Sequence, residues 1–330
     1  MLKEQLIFFF LNLLKVYPRV FTPLRSRCLP HLLLLCFSIS PVFGQEENPW
    51  LSLGRLSIST SGSYHFRPWH FYNNSISLVE QAVRYDATYT NPSGSYEKIV
   101  GDMGTGLVLS YRLLEGLHIE GLGLYTMTGG SVRLELPQAP FPSSVTTQDL
   151  SLHVMEWGIG VRSTFLLGNE FDFNTALHVS RASGKLRYDY AYIPTHRQEY
   201  LFEADLNDRS TAVRATVEGA YRLFGPLHIT GGVEYRWLRF DNFEGWGNEI
   251  YRDKVLPYEE IRSFQAKLAQ TKGYFFALIP SDGSYILNAH LMRTLWTRTE
   301  IYPSWWNNLE PASLDLSSFG IRIGVRYEFR

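Results

Sequence analysis

Residues 211–237 alternate between apolar and polar side chains on both sides of a short turn. One face carries Val213, Ala215, Val217, Gly219, Tyr221 and Leu223 before the turn, and Leu227, Ile229, Gly231, Val233, Tyr235 and Trp237 after it. A period of two residues is typical of β-strands, so the pattern predicts a hairpin. Each strand would have about eleven residues, the length that crosses a bilayer when the strand is tilted.

The same unit occurs earlier in the chain. The stretch YRLLEGLHIEGLGLY, residues 111–125, matches YRLFGPLHITGGVEY, residues 221–235, at its Tyr, Arg, Leu, Leu, His, Ile, Gly and Tyr positions. The repeat predicts two similar hairpins. It also places His118 and His228 at equivalent positions just after the turns, where we expect hydrogen bonds at the rim of the structure.

Connections of alternating length join these strands to others. Strand-like alternation also covers residues 55–64, 106–113, 155–165, 171–180 and 318–329. The turns near 114–116, 168–169 and 224–226 are short, whereas the links at about 67–102, 129–150, 183–210 and 242–317 are long. Such alternation is typical of outer-membrane barrels. The sequence therefore predicts an all-β, antiparallel transmembrane β-barrel of about eight strands, with short periplasmic turns and long extracellular loops.

The long link at 242–317 is expected to contain structure of its own. Residues 258–271 follow Pro257 and carry Ile261, Phe264 and Leu268 at helical spacing, which predicts a helix. Residues 284–296 have polar groups on both faces and are assigned to the loop. If they formed a strand instead, the barrel would have ten strands.

Charged side chains recur on the polar faces of the predicted strands. The set comprises Arg112, Glu120, Glu156, Arg162, Asp172, Arg214, Glu218, Arg222, Glu234, Arg236, Arg322, Arg326 and Glu328. Cations and anions nearly balance, and every cation is an arginine, whose guanidinium group forms paired bonds with carboxylates. We therefore expect a closed lumen filled by a charge network. The alternative fold is a soluble β-sandwich, in which the apolar faces would share a core.

The N-terminal segment has the layout of a secretory signal peptide. Arg25 and Arg27 precede an apolar stretch of about a dozen residues, which is too short to span a bilayer. Cleavage before Gln45 is predicted, so residues 1–44 are the leader and residues 45–330 the barrel. Both cysteines of the chain lie in the leader. The formal net charge of -1 gives no electrostatic reason to expect nucleic acid as a partner.

These features resemble the small bacterial outer-membrane β-barrel proteins, the superfamily of the outer-membrane protein A and X type barrels. The resemblance rests on the alternating strands, the signal peptide, the loop asymmetry and the terminal GVRYEF, residues 324–329. It implies a place in the outer membrane, contact with outer-membrane lipids, and recognition of the last strand by the barrel-assembly machinery through a terminal aromatic residue. In this chain Arg330 follows Phe329, which departs from that pattern.

One candidate for catalysis lies on the predicted inward face. His178 and Ser180 are two residues apart, and HVS resembles the His-x-Ser of outer-membrane lipid A deacylases, in which the histidine activates the serine. Glu156 on the neighbouring strand would orient the histidine. The alternative is that these groups complete the hydrogen-bond network of the lumen.

Two functional hypotheses follow. The first is a non-enzymatic surface protein whose loops, above all 242–317, bind an unknown surface ligand or shield the membrane, with no metal and no cofactor. The second is a lipid-modifying hydrolase that uses His178 and Ser180.

Overall fold

The described part of the chain lies within one unit. The computed structural model describes residues 55–67, 93–97, 99–136, 144–166, 170–194, 198–271, 309–311 and 313–329. The chain divides into units Met1–Leu53 and Gly54–Arg330, and all described residues belong to the second. The predicted signal peptide and residues 284–296 lie outside the described residues. Within the described ranges, no helix has the length and apolar character needed to cross a membrane.

Regular structure in these ranges consists of β-strands. They are β1 Leu56–Phe66, β2 Ser93–Tyr96, β3 Gly101–Leu114, β4 Leu117–Leu136, β5 Ser144–Leu166, β6 Phe171–Pro194, β7 Glu199–Phe224, β8 Leu227–Trp237, β9 Arg239–Phe240, β10 Glu244–Arg252, β11 Glu259–Lys267, β12 Ala269–Thr271, β13 Leu309–Pro311, β14 Leu314–Asp315 and β15 Ser318–Glu328. The predicted all-β class is confirmed for the described residues.

Eight of these strands form a closed ring. Hydrogen-bonded neighbours follow the order β8-β7-β6-β5-β4-β3-β1-β15, and β15 pairs with β8 to complete the cycle. The ladders between ring strands are antiparallel. The predicted count of eight strands is therefore confirmed.

The two repeated hairpins use their glycines differently. Gly116 is the second residue of the β3–β4 turn and has a φ of 73°, whereas Gly225 is the first residue of the β7–β8 turn and has a φ of 54°. Both values lie in the left-handed region, which glycine adopts without steric penalty. Pro226 follows Gly225 and cannot adopt a positive φ, so the left-handed residue has to precede it.

Two of the predicted long links are strand rather than loop. β4 and β5 pair from Leu117–Ser163 to Leu136–Ser144, and β6 and β7 pair from Phe171–Tyr221 to Tyr192–Tyr200. The predicted loops at 129–150 and 183–210 were therefore wrong over most of their length. We call the residues 129–136, 144–154, 181–194 and 199–211 of these four strands the extension.

The predicted helix at 258–271 was also wrong. β11 pairs with β10 from Glu259 opposite Arg252 to Lys267 opposite Glu244, and β10 pairs with β7. Ile261, which should have faced a core, is 59% exposed. Leu268, which follows β11, is buried in the apolar core, so Ile261 and Leu268 do not share one buried face. Pairing with β10 instead satisfies the backbone donors and acceptors.

The outer face of the ring is apolar. Large exposed side chains there are Leu107, Leu109, Ile119, Met155, Trp157, Ile159, Val161, Phe165, Leu177, Val179, Val217, Val233, Phe319, Ile321 and Val325. We call this set the belt. Ile159 is 73% exposed and Phe319 is 68% exposed, so these side chains do not lie in a core. This contradicts the soluble sandwich, which requires them to be buried.

The polarity of both faces inverts where the ring passes into the extension. On β6, Leu177 and Val179 point outward from the ring, and Arg181, Ser183 and Lys185 continue that outward face in the extension. The last apolar row joins Val179, Val213 and Trp237, and the next row pairs Arg181 with Thr211. On β6, β7 and β8 the change follows adjacent rows, whereas on β5 the apolar outer face continues to Trp157 and Met155, opposite Arg181 and Ser183.

The inner face changes in the opposite sense. Within the ring, β6 presents buried His178 and Ser180, whereas in the extension it presents buried Leu186, Tyr188 and Tyr190. These join an apolar core that includes Leu150, Leu152, Val154, Phe202, Leu206, Leu238, Phe240, Phe243, Leu314 and Leu316. The extension thus has an apolar interior and a polar surface, as a water-soluble domain has.

This arrangement predicts that the extension contributes its own packing energy. Leu206 is fully buried, so Leu206→Ala should lower the free energy of unfolding by about 2–5 kcal/mol through lost contacts and a residual cavity. Asp205 lies next to it on the outer face with an exposed Lys185 contact of 3.5 Å, so Asp205→Ala should cost about 0–1 kcal/mol. Denaturant unfolding in detergent micelles measures both values. Equal effects of the two substitutions would show that the extension has no packed core.

Candidate functional site: the charged interior of the ring

Most of the predicted lumen charges are buried inside the ring. The buried members are Glu120, Glu156, Arg162, Arg214, Glu218, Glu234, Arg236, Arg322 and Arg326. They come from five different strands because each strand turns alternate residues inward. Burial of so many charges is tolerated only where opposite charges and hydrogen bonds accompany them.

The remaining four predicted residues lie near the short turns. Arg112 and Arg222 are exposed, and Asp172 and Glu328 are partly buried. Arg112 and Arg222 stand opposite His118 and His228 in their hairpins. Both arginines therefore lie outside the buried part of the predicted network, because the strand ends reach solvent there.

Glu156 is the centre of a cluster close to the extension. Its Oε1 lies 3.1 Å from Arg214 Nη2 and 3.8 Å from Arg236 Nη1, and its Oε2 accepts a hydrogen bond from Ser180 Oγ at 3.2 Å. Arg214 Nη1 contacts Glu234 Oε1 at 2.8 Å. Glu156, Arg214 and Arg236 have side-chain exposures of 0%, 1% and 0%, so water does not screen these contacts.

The sequence pattern missed two members of this cluster. His65 Nδ1 lies 2.9 Å from Asp102 Oδ1, and its Nε2 lies 2.9 Å from Glu234 Oε1. Asp102 Oδ2 in turn lies 2.6 Å from Arg236 Nη2. Arg214 Nη1 also lies 3.1 Å from His65 Nε2, so this ring nitrogen contacts both an arginine and a carboxylate. His65 lies at the end of β1 and Asp102 at the start of β3, directly opposite one another, at the margins of a predicted loop.

Glu120 is the centre of a second cluster nearer the short turns. Its Oε1 lies 2.8 Å from Arg162 Nε and accepts a hydrogen bond from Ser110 Oγ at 2.5 Å. Its Oε2 lies 2.8 Å from His178 Nε2. Gly160 lies beside His178, and a Cβ at that position would overlap the imidazole ring. The glycine therefore gives the ring of His178 the room to reach Glu120.

Glu218 of β7 pairs with Arg326 of β15, two strands away in the ring, because inward side chains meet their partners in the interior. Between the Glu120 cluster and this pair lies a cavity of about 20 Å³, lined by residues that include Thr216 and Arg322. That volume holds about one water molecule. Side chains therefore fill the interior of the ring between the Glu120 cluster and the Glu218–Arg326 pair.

The residues of the hydrolase hypothesis do not form the expected arrangement. Ser180 donates to Glu156, while His178 contacts Glu120. Glu156 therefore does not orient His178. All three side chains are almost fully buried, at 4% exposure or less. A serine nucleophile needs its histidine as the hydrogen-bond partner, and here a carboxylate takes that place.

An acidic group lies on the polar surface of the extension. Asp149 stands directly opposite Asp189 on the neighbouring strand, and Glu97 accepts a hydrogen bond from Ser131, which stands opposite Asp149. Partial burial, followed by repulsion from Asp189 and Glu97, raises the pKa of Asp149 above its usual value. Like charges directly opposite one another destabilise a strand pair.

Comparison with known proteins gives remote matches among solved structures. No protein-family model and no curated protein matches the chain. Among solved structures, a major outer membrane protein from Thermus thermophilus is 10% identical, with a TM-score of 0.33 over 82% of this chain and 98% of that one. A bacterial polysaccharide outer membrane secretin is 8% identical with a TM-score of 0.15, over 84% and 99% of the two chains. These scores are too low to establish a shared fold.

The buried cluster predicts a large effect of removing one charge. Glu156→Gln keeps the shape of the side chain but leaves Arg214 and Arg236 without this counter-ion. We expect a loss of about 3–5 kcal/mol in the free energy of unfolding. The control is Asp241→Asn, because Asp241 and its partner Arg239 are 66% and 61% exposed, and it should cost about 0–1 kcal/mol. A silent Glu156→Gln in micelle unfolding experiments would mean that water reaches the cluster.

The raised pKa of Asp149 gives a pH-dependent prediction. The pKa of Asp149 is higher in the folded state than in the unfolded state, so ionisation of this carboxyl group destabilises the folded state. The resulting loss of stability grows as the pH rises from the unfolded-state pKa through the folded-state pKa. Asp149→Asn should therefore raise the unfolding midpoint at pH 7. The difference from the wild type should disappear below pH ~4, where the carboxyl is protonated in both states. A difference that is constant with pH would exclude charge repulsion as its cause.

Proposed function

We propose that the ring is a transmembrane β-barrel of the bacterial outer membrane and that the extension projects from it into water. The observation that carries this proposal is the inversion of polarity along β4–β7. The ring has paired charges inside and the apolar belt outside. The extension has an apolar interior and a polar outer surface. Lipid around the ring and water around the extension would account for these two opposite distributions of polar and apolar side chains.

The dimensions and composition of the belt support this proposal. β8 spans Leu227–Trp237 and β15 spans Ser318–Glu328, each 11 residues, and transmembrane strands need about 9–11 residues. Aromatic side chains concentrate toward the two margins. Tyr125, Trp157, Tyr235, Trp237 and Phe319 lie toward the extension, and Phe165, Phe171, Phe173, Tyr221 and Phe224 toward the short turns. Aromatic girdles at both interfaces are typical of outer-membrane barrels.

The orientation follows from the connections. Short turns face the periplasm in outer-membrane barrels, so the β3–β4 and β7–β8 turns belong on that side and the extension on the outside of the cell. The closing strand β15 exposes Phe319, Ile321 and Val325 and ends near Phe329. A closing strand with an apolar outer face fits recognition by the barrel-assembly machinery.

We assign this protein a binding or shielding role at the cell surface. Paired charges occupy the ring interior, and the apolar core of the extension lies above them, which argues against a wide pore. The extension presents a firm polar surface of strands, and such a packed surface suits recognition of a ligand better than a flexible loop does. A hydrolase has less support, because His178 and Ser180 are buried and bond to different carboxylates.

Cysteine labelling tests the placement of the extension, the short turns and the belt. The chain has two cysteines, Cys28 and Cys36, both within the predicted leader, so single cysteines can be introduced into the barrel without a background. On intact cells, Arg187→Cys in the extension should react with a membrane-impermeant maleimide. Glu115→Cys in the short turn should react only after the outer membrane is permeabilised. Ile159→Cys in the belt should react only after denaturation.

The outcomes separate the alternatives. Labelling of Ile159→Cys in the folded protein, together with solubility without detergent, would overturn the membrane placement. Labelling of Glu115→Cys but not of Arg187→Cys on intact cells would show that the short turns, and not the extension, face the outside of the cell. For the surface role, lipid analysis of cells with and without the protein distinguishes a binder, which leaves lipid structures unchanged, from a lipid hydrolase.

A further inference from the structure

Three potential metal ligands converge at the end of the ring that carries the short turns. Asp172 from β6, His228 from β8 and Glu328 from β15 each offer one donor atom, and these atoms all lie within 4.8 Å of one another. The three residues are distant in sequence, so no ligand spacing indicated them. The closed ring brings them together, because β15 pairs with β8 and β7 connects β8 to β6.

The backbone register explains how Asp172 reaches the other two. Asp172 stands opposite Ala220 of β7, and Ala220 stands opposite Thr230 of β8. All three positions face inward, and the methyl group of Ala220 is too small to separate the aspartate from the histidine. A large side chain at position 220 would occupy this space.

His228 has no hydrogen-bond partner for its polar atoms. Its side chain is almost fully buried, and neither Nδ1 nor Nε2 makes a hydrogen bond to any described residue. Buried polar atoms are nearly always satisfied in folded proteins, and a water molecule or ion at that place is one explanation for an unsatisfied one. The equivalent residue of the other hairpin differs, since His118 Nδ1 lies 3.2 Å from Arg162 Nη2.

The spacing of the donor atoms suits a metal ion. His228 Nε2 lies 3.5 Å from Glu328 Oε2, longer than a good hydrogen bond between nitrogen and oxygen. Two ligands that are each ~2.0–2.2 Å from a tetrahedral metal lie about 3.3–3.6 Å apart. The observed separation of this pair lies within that range.

Among the nearby arginines, Arg222 stands opposite His228 and is exposed to solvent, whereas Arg326 and Arg162 have counter-ions. Arg326 is paired with Glu218, and Arg162 is paired with Glu120, so each guanidinium already has its own counter-ion. Asp172 and Glu328 then supply negative charge for an incoming cation. Glu328 is 39% exposed, which leaves the cluster open to solvent for the entry of the ion and for a water ligand.

We propose that Asp172, His228 and Glu328 form a binding site for a divalent transition metal of the Zn²⁺ class. One imidazole with two carboxylates favours Zn²⁺ over Ca²⁺ or Mg²⁺, which prefer oxygen ligands alone. The ion would connect β15 to β8 and, across β7, to β6. It would therefore reinforce the ring at the ladder that closes it.

The test uses the full mature chain, refolded in detergent micelles, stripped with a chelator and titrated with Zn²⁺ alone. Calorimetry should find about one Zn²⁺ bound per chain, and Zn²⁺ should raise the unfolding temperature, because a ligand that binds only the folded state stabilises it. Asp172→Asn and Glu328→Gln preserve side-chain shape and should each weaken binding by at least about tenfold. His228→Ala should abolish the Zn²⁺-dependent shift in unfolding temperature.

The matched control is His118→Ala, in the hairpin that repeats the sequence but lacks the facing carboxylates. It should bind Zn²⁺ like the wild type. The proposal is overturned if the wild type shows no binding at millimolar Zn²⁺. It is equally overturned if Asp172→Asn and His228→Ala bind unchanged, or if Ca²⁺ binds more tightly than Zn²⁺. The measurement is made in micelles, so its result does not depend on where the protein resides in the cell.

Discussion

The structure depends on the pairing of charges within the closed ring of strands. Glu156 has Arg214 and Arg236 as partners, and Glu120 has Arg162 and His178. A buried charge without a partner would destabilise the fold severely. Because each strand turns alternate residues to opposite faces, the inward charges alternate along the strands with the outward apolar residues of the belt. Under the proposed placement, the belt faces lipid.

The inversion of polarity extends this constraint beyond the ring. The same four strands continue past the level of Val179 and Val213 with no break in pairing, while their inner and outer faces exchange character. Under the proposed placement, one continuous sheet faces lipid at the ring and water at the extension. The apolar core around Leu152, Leu186 and Phe202 above the charge network adds a second packed layer. A filled ring with a packed extension favours display of a surface over conduction.

The repeated hairpins show how similar sequences acquire different surroundings. His118 and His228 occupy equivalent positions, yet one contacts Arg162 and the other faces Asp172 and Glu328. Their own hairpins do not cause the difference. It arises from the strands opposite them in the ring, and those strands carry no trace of the repeat. A candidate site appears only at the hairpin that stands next to the closing strand.

The sequence alone determined the strand period, the eight ring strands, the short turns and most of the buried charges, because alternation and turn residues are local properties. Tertiary structure decided the rest. Residues 181–194 and 199–211 carry polar residues outward, as a loop does, and only their pairing with each other shows them as strands. Ile261, Phe264 and Leu268 have helical spacing, but pairing with β10 decides the state of this segment. The partners of Glu218 and His178, and the meeting of Asp172 with His228 and Glu328, depend on which strands face one another across the ring. Distance along the chain carries no information about that, because ring closure is a global property of the sheet.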